Sequence, residues 1–269
     1  MLDAMSGGTV FLLCLIAYGV SASMGLYRMR SRLFRPGPVQ FAAFVGALLL
    51  HTWYLMIRGQ ELGRCPVTSF GDIMVFVAWS LAVAYVVVGP VYRFTVPGVL
   101  TAPLVALLLL VSLGIPRKVL PSRAELSAAI EFHAASSLLA YGALGLACVT
   151  GLFYLIHDRC IRKKRLQAWF ENLPPLHELG RVNRDLMLYG LGLMTIGVVS
   201  GFFTPGGVNH AKTISFMVMW VLYAALLMAS ITARLSGRKT ALLSSLLFAA
   251  MILSFWTLSL ARGTAAGGP

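Results

Sequence analysis

Three histidines, with charged and aromatic residues around them, are the parts of this sequence that could do chemistry. His51 stands inside an apolar run, GALLLHTWYLM; His133 opens another, EFHAASSLLAYGALGLAC; His210 lies in a short segment between two more, GFFTPGGVNHAK. A neutral imidazole can ligate a metal through one nitrogen and hydrogen-bond through the other. Zinc would need a close tetrahedral set of nitrogen, sulfur or carboxylate donors. Glu61, Cys65, Asp72, Glu125 and Glu131 supply such donors, but not in the spacing of a ligand pair. Haem would need one or two axial imidazoles in an apolar, aromatic-lined pocket. Trp53, Tyr54, Phe70, Trp79, Phe132, Tyr141, Phe202 and Phe203 supply rings, which an interfacial aromatic belt would also supply. Spacing alone leaves zinc, haem and a purely structural role open. The remaining histidines, His157 and His177, sit among basic residues and read as interfacial or solvated.

The elements that must position these residues are membrane helices. The chain has 269 residues, of which 58% are hydrophobic and only 12% charged. A soluble domain carries roughly twice that charged fraction. Uncharged apolar runs long enough to cross a bilayer recur along the chain. Lipid offers no partner to a bare peptide group, so such runs fold as helices. The sequence predicts an all-α, polytopic helix bundle with eight spans near 9–27, 39–57, 70–92, 97–114, 133–156, 186–203, 211–232 and 240–260. The fourth is broken by proline at its start. No soluble domain is expected, and the whole of 1–269 reads as one integral-membrane domain.

A net charge of +13 raises the question of nucleic acid. Position answers it. With the N-terminus outside, fifteen of the 22 Lys and Arg fall in inner segments, the largest group between Arg159 and Arg184. That is the positive-inside bias, and the partner it implies is the lipid bilayer, not nucleic acid. Eight spans put the C-terminus outside as well. No Lys or Arg precedes the first apolar run, so that run is expected to remain as a span. His133 and His210 then lie at outer ends of their spans, with His51 about 9 Å inside the outer end of the second. An outer segment, IPRKVLPSRAELSAAIEFH, reads as a short amphipathic helix with Ser122 and Glu125 as a capping box. The longest inner loop continues the fifth helix and then follows the interface through Trp169 and Phe170. Ala143, Ala147 and Gly151 form a small-residue stripe on the fifth span, suited to close helix approach.

The cysteines Cys14, Cys65, Cys148 and Cys160 form neither C-x-x-C nor C-x-x-C-H. The chain therefore reads neither as a c-type cytochrome nor as a thioredoxin-like reductant. No nucleophile–base pair is evident, so it is not expected to be an enzyme. An ion or solute transporter would favour carboxylates at mid-depth. Asp72 sits at a span end, which makes transport the weaker reading.

Three stretches, spanning about 51–230, resemble the cytochrome c assembly proteins of the CcsA and HemX type. Gly63, Pro66, Phe76 and Trp79 match the family's G-x-x-P-x-S-N-x-Y-E-S-x-x-F-x-x-W, with Thr68 for Ser and Asp72 for Glu. His133, Ser137, Leu139 and Tyr141 open the fifth span as in the family, followed by a basic segment and a Pro-Pro-Leu. Lys212, Trp220 and Tyr223 resemble its K-E-T-W-x-x-x-x-W-x-x-Y. The sequence departs from the haem-transferring members in one outer segment. It lacks their tryptophan-rich run, and Asn209-His210-Ala211-Lys212 replaces Trp-Asp-Pro-Lys. Met228 stands where some members have histidine. This is the pattern of the shorter HemX-like branch.

The resemblance implies a bacterial inner-membrane protein that assists cytochrome c biogenesis by binding or delivering a non-covalent b-type haem at the outer face. It makes His133, His51 and His210 the candidate axial ligands. Trp79, Tyr141, Asp72, Arg117 and Lys212 become candidates for the pocket and the haem propionates, with no metal other than haem iron. The implied partners are haem and a cytochrome c synthesis subunit or apocytochrome. The alternative it allows is a HemX-like regulator or scaffold that binds no haem and contacts a cytoplasmic tetrapyrrole-synthesis enzyme through the inner loop.

Overall fold

The computed structural model describes residues 7–31, 37–63, 65–66, 69–92, 96–115, 128–163, 175–203, 210–232 and 234–265. Among them every element of secondary structure is a helix. The helices are α1 (Gly7–Arg30), α2 (Pro38–Leu62), α3 (Phe70–Tyr92), α4 (Val96–Leu113), α5 (Ala128–Arg162), α6 (Leu176–Phe202), α7 (His210–Ile231) and α8 (Gly237–Ala265). Seven of them are long and apolar enough to cross a membrane. The protein is a multi-pass integral membrane protein. Arg117, the Ser122–Glu125 capping box, Trp169 and Phe170 lie outside the described residues.

The eighth, α4, is the shorter apolar helix, Leu100–Leu113 in the part with described side chains, and it carries Pro103 inside. The packing still requires it to run the length of the bundle. Cys65, before α3, meets Glu131 in the first turn of α5, and further along Ser80 meets Gly142. Both helices therefore run the same way, and the chain must return between them. At 1.5 Å per residue the 18 residues of α4 cover about 27 Å, enough for that return.

Local sequence sets the ends. Pro38 opens α2, where its missing N–H is no loss. Gly63 closes α2 in the left-handed region, at φ 62°, with its N–H on the Gln60 carbonyl. Ser69 and Asp72 cap α3 reciprocally. The Ser69 backbone N–H and hydroxyl donate to Asp72 Oδ2 at 3.2 and 2.8 Å, and the Asp72 N–H donates to Ser69 Oγ at 3.1 Å. The fifth helix runs 35 residues, about 52 Å, and so continues past the apolar span into the basic inner segment, as expected.

Two packing styles divide the bundle. Helices α1 to α3 interlock by edge-to-face rings: Phe11 on Tyr54, Tyr18 on Phe44, and Phe44 on Tyr85, with centroids 4.8–5.3 Å apart. Around α5 the contacts run through glycine instead. Gly142 lies against the Ser80 backbone of α3, Gly151 against the Ala241 carbonyl of α8, and Gly190 of α6 against Leu144. The small stripe of α5 is thus part of a close interface, with Ala143, Ala147 and Gly151 all buried. Short polar groups complete it. Asn183 donates to the Ala147 carbonyl at 2.7 Å and to Ser244 Oγ at 3.1 Å.

Candidate functional site

The end of the bundle that carries the start of α5 is called the outer end, following the charge asymmetry of the sequence. His133 lies in the second turn of α5, half-buried, where α6 is finishing alongside. Its Nδ1 is 2.7 Å from the Gly197 carbonyl. A carbonyl only accepts, so Nδ1 carries the proton, and in the neutral ring the lone pair falls on Nε2. Among the described residues Nε2 has no hydrogen-bond partner. Ser200 Oγ donates to the same carbonyl at 3.0 Å and steadies it. Two glycines make room for this contact. A Cβ on Gly201 would stand 3.1 Å from His133 Cε1, and one on Gly197 would stand 2.7 Å from Ser137 Oγ. The run Gly197-Val-Val-Ser-Gly201 is a G-x-x-x-G, the one signal in the sequence that could have placed α6 against His133.

Beside this contact the outer ends of α5 and α6 form a groove of about 430 Å³ lined by Ala129, Phe132, Thr195, Ile196, Val199, Ser200 and Phe203. Its rings are open to the surroundings, Phe132 at 58% and Phe203 at 75% exposure. Trp220 of α7 donates to Thr195 Oγ1 at 2.8 Å and braces the α6 wall. His210 is the first residue of α7, which follows α6 in the chain and packs on it through Trp220 and Thr195. Its backbone therefore stands at the same end of the bundle as His133; the side chains of His210 and Lys212 lie outside the described set.

His51 is placed elsewhere. It lies in mid-α2, fully enclosed, with its ring edge-on to Tyr18 of α1 at 5.8 Å. The partners of His133 are on α6, and those of His51 are on α1 and α3, so the structure does not gather the two into one site.

The other candidates serve the frame. Asp72 caps α3 and faces the Arg58 guanidinium at 3.6 Å, which Glu61 also holds at 3.0 Å. An anion already engaged with a cap and an arginine is a poor neighbour for a propionate. Trp79 donates to Thr52 Oγ1 at 2.9 Å and fixes α3 to α2. Tyr141 is buried in the core, eight residues or about 12 Å below His133 along α5. At the outer end Glu131 accepts the Cys65 N–H at 2.9 Å, tying the loop before α3 to α5. Burial, with the Glu131 charge adding, pushes the Cys65 thiol up to about 11. All four cysteines are free thiols. No group of three or more His, Cys, Asp or Glu among the described residues could hold a metal ion, which gives the zinc reading no support there.

The model of the family described as Cytochrome C assembly protein matches residues 69–264, well over half of the chain. The chain belongs to the cytochrome c assembly protein family. The match takes in α3, where the capping residues lie, and the whole α5–α8 half with His133 and its glycines. This assembly protein is also similar to Protein HemX of Bacillus subtilis, at 21% identity over 78% of this chain and 79% of that protein. A second relative is the "Uncharacterized 28.8 kDa protein in nifR3-like 5'region" of Azospirillum brasilense, 27% identical over 47% of this chain. That match spans about half, 49%, of the Azospirillum protein's length. Membership of the family supports a role in cytochrome c biogenesis.

Proposed function

We propose that the assembly protein holds a non-covalent b-type haem at the outer end of the α5–α6 pair, with His133 Nε2 as an iron ligand. The observation that carries this reading is the 2.7 Å bond from His133 Nδ1 to the Gly197 carbonyl. Metal-ligating histidines characteristically donate their second N–H to a carbonyl or carboxylate, which fixes the tautomer and aims the ligating nitrogen. The residues nearby fit the group: the adjoining groove is walled by Phe132, Ile196, Val199 and Phe203, apolar as a porphyrin face requires. His210 is the candidate second ligand, since its backbone shares that end of the bundle. Arg117 and Lys212 are candidates to pair the propionates.

When bound, haem supplies the iron and the vinyl edge that an apocytochrome's thiols attack. The chain's own part is to bind and orient. Gly197 sets the ring's tautomer, Gly201 lets α6 lie close enough to do so, and Phe132 and Phe203 offer apolar faces along the groove. The covalent step belongs to a synthase subunit or to the apocytochrome, at the outer face of a bacterial plasma membrane. The test is the absorption spectrum of purified protein supplied with haem: a Soret band in wild type that His133→Ala removes supports the reading, and a band untouched by His133→Ala ends it.

The likeness to Protein HemX over most of the chain keeps a second reading in play. There the exposed Arg159, Arg162, Lys163 and Arg181 at the inner ends of α5 and α6 contact a cytoplasmic tetrapyrrole-synthesis enzyme. Charge reversal at these positions would then abolish function while His133→Ala is tolerated.

A further inference from the structure

The seam between α1 and α2 holds polar groups without a hydrogen-bond partner among the described residues. His51 is fully enclosed, and neither ring nitrogen meets a hydrogen-bond partner among the described residues. The Tyr18 hydroxyl is equally enclosed and equally without a partner, and the two rings touch edge to face at 5.8 Å. The Val75 backbone of α3 approaches the imidazole without reaching hydrogen-bond geometry. Cys14, one turn before Tyr18, is already engaged, its thiol donating to the Ala47 carbonyl at 3.7 Å. Gln40 lies eleven residues before His51, about three turns and so on the same face of α2. Its amide oxygen is also buried and has no partner among the described residues.

A neutral imidazole brings one donor and one acceptor, and a phenol brings one donor and a pair of acceptor sites. Left bare in an apolar interior, each of these costs its full desolvation. Buried polar groups in this position are commonly served by an internal water. We propose that Tyr18 and His51 form a water-binding site inside the membrane-spanning part of the α1–α2 seam. A water there accepts from one ring and donates to the other, and the linked pair can share a proton. Both side chains are fully enclosed, so a partner for their polar atoms must lie within the seam itself. The site is separate from His133 and does not rest on the haem reading.

The test combines a double-mutant cycle with infrared difference spectroscopy in H2(18)O, on the full chain in detergent. Tyr18→Phe and His51→Leu should each lower the thermal midpoint by about 3 °C or more, the order expected for one buried hydrogen-bond group in a chain this size. The double variant should fall little further than the worse single one, because either change already strands the water. Wild type should show an isotope-sensitive O–H band that Tyr18→Phe removes. Should His51→Leu fail to fold, His51→Gln, which keeps a donor and an acceptor, closes the cycle and should retain the band. Additive losses, a raised midpoint in either single variant, or no band dependent on Tyr18 would show the pair to be dry and overturn the proposal.

Discussion

The α1–α4 and α5–α8 halves each present a histidine, and they treat it oppositely. In the first half His51 is walled in by rings, touching Tyr18 within a cluster that continues through Phe44 to Tyr85. In the second half His133 stands at the helix end, half-buried, one nitrogen committed to Gly197 and the other left without a partner among the described residues. Large rings fill space and close a site, whereas glycines bring backbones close enough for a carbonyl to reach a side chain and leave its far edge open. The same residue type is therefore a core imidazole in one half and a ligand candidate in the other.

The comparison breaks most decisively through His133 itself. His133→Ala should abolish haem binding, while His51→Leu should leave the Soret band in place and change stability only; a haem titration of both variants reads the difference. Next in size is Gly201→Leu. Its side chain would drive into the space that His133 Cε1 and Nδ1 occupy, so haem affinity should fall at least tenfold, with overpacking costing about 1–3 kcal/mol. Gly46, which has open space around it, is the control: Gly46→Ala should change neither. A smaller effect is expected from Asp72→Ala, which removes the α3 cap and one of the two carboxylates facing Arg58, leaving Glu61 in place. It should cost about 1–2 kcal/mol in denaturation without moving the Soret maximum.

The smallest expected effect concerns Cys65. Its thiol is raised from the ordinary 9.0 to about 11, so at pH 8 its thiolate fraction is roughly a hundredfold below that of a free cysteine. Maleimide labelling should be slow and should accelerate in Glu131→Gln. The linkage sign follows: a raised folded pKa favours the neutral thiol, so its contribution to stability is full below pH 9 and is lost as pH climbs from 9 towards 11.

Composition and apolar runs made the helical membrane fold legible, because a bilayer leaves the backbone few other choices. The helix ends were less so. The α2 helix extends to Leu62 and α6 begins at Leu176, since helices continue past the apolar stretch into polar sequence that hydropathy does not count. The resemblance picked out His133, but its tautomer was invisible, being set by a carbonyl 64 residues away. The small-residue stripe of α5 does not by itself say which helix faces it; Gly197 and Gly201 supply the matching small residues on α6. In sequence His51 and His133 differ in depth, yet both read as ligand candidates near one leaflet. The order of neighbours around the bundle is what separates them into different sites.

The most direct test of this account is one set of spectra: wild type, His133→Ala, His51→Leu and His210→Ala, each purified after haem supply. A Soret band is expected in wild type and His51→Leu, with its loss in His133→Ala and a shifted or weakened band in His210→Ala. A band that survives His133→Ala but vanishes in His51→Leu would contradict it and move the functional centre into the ring-packed half.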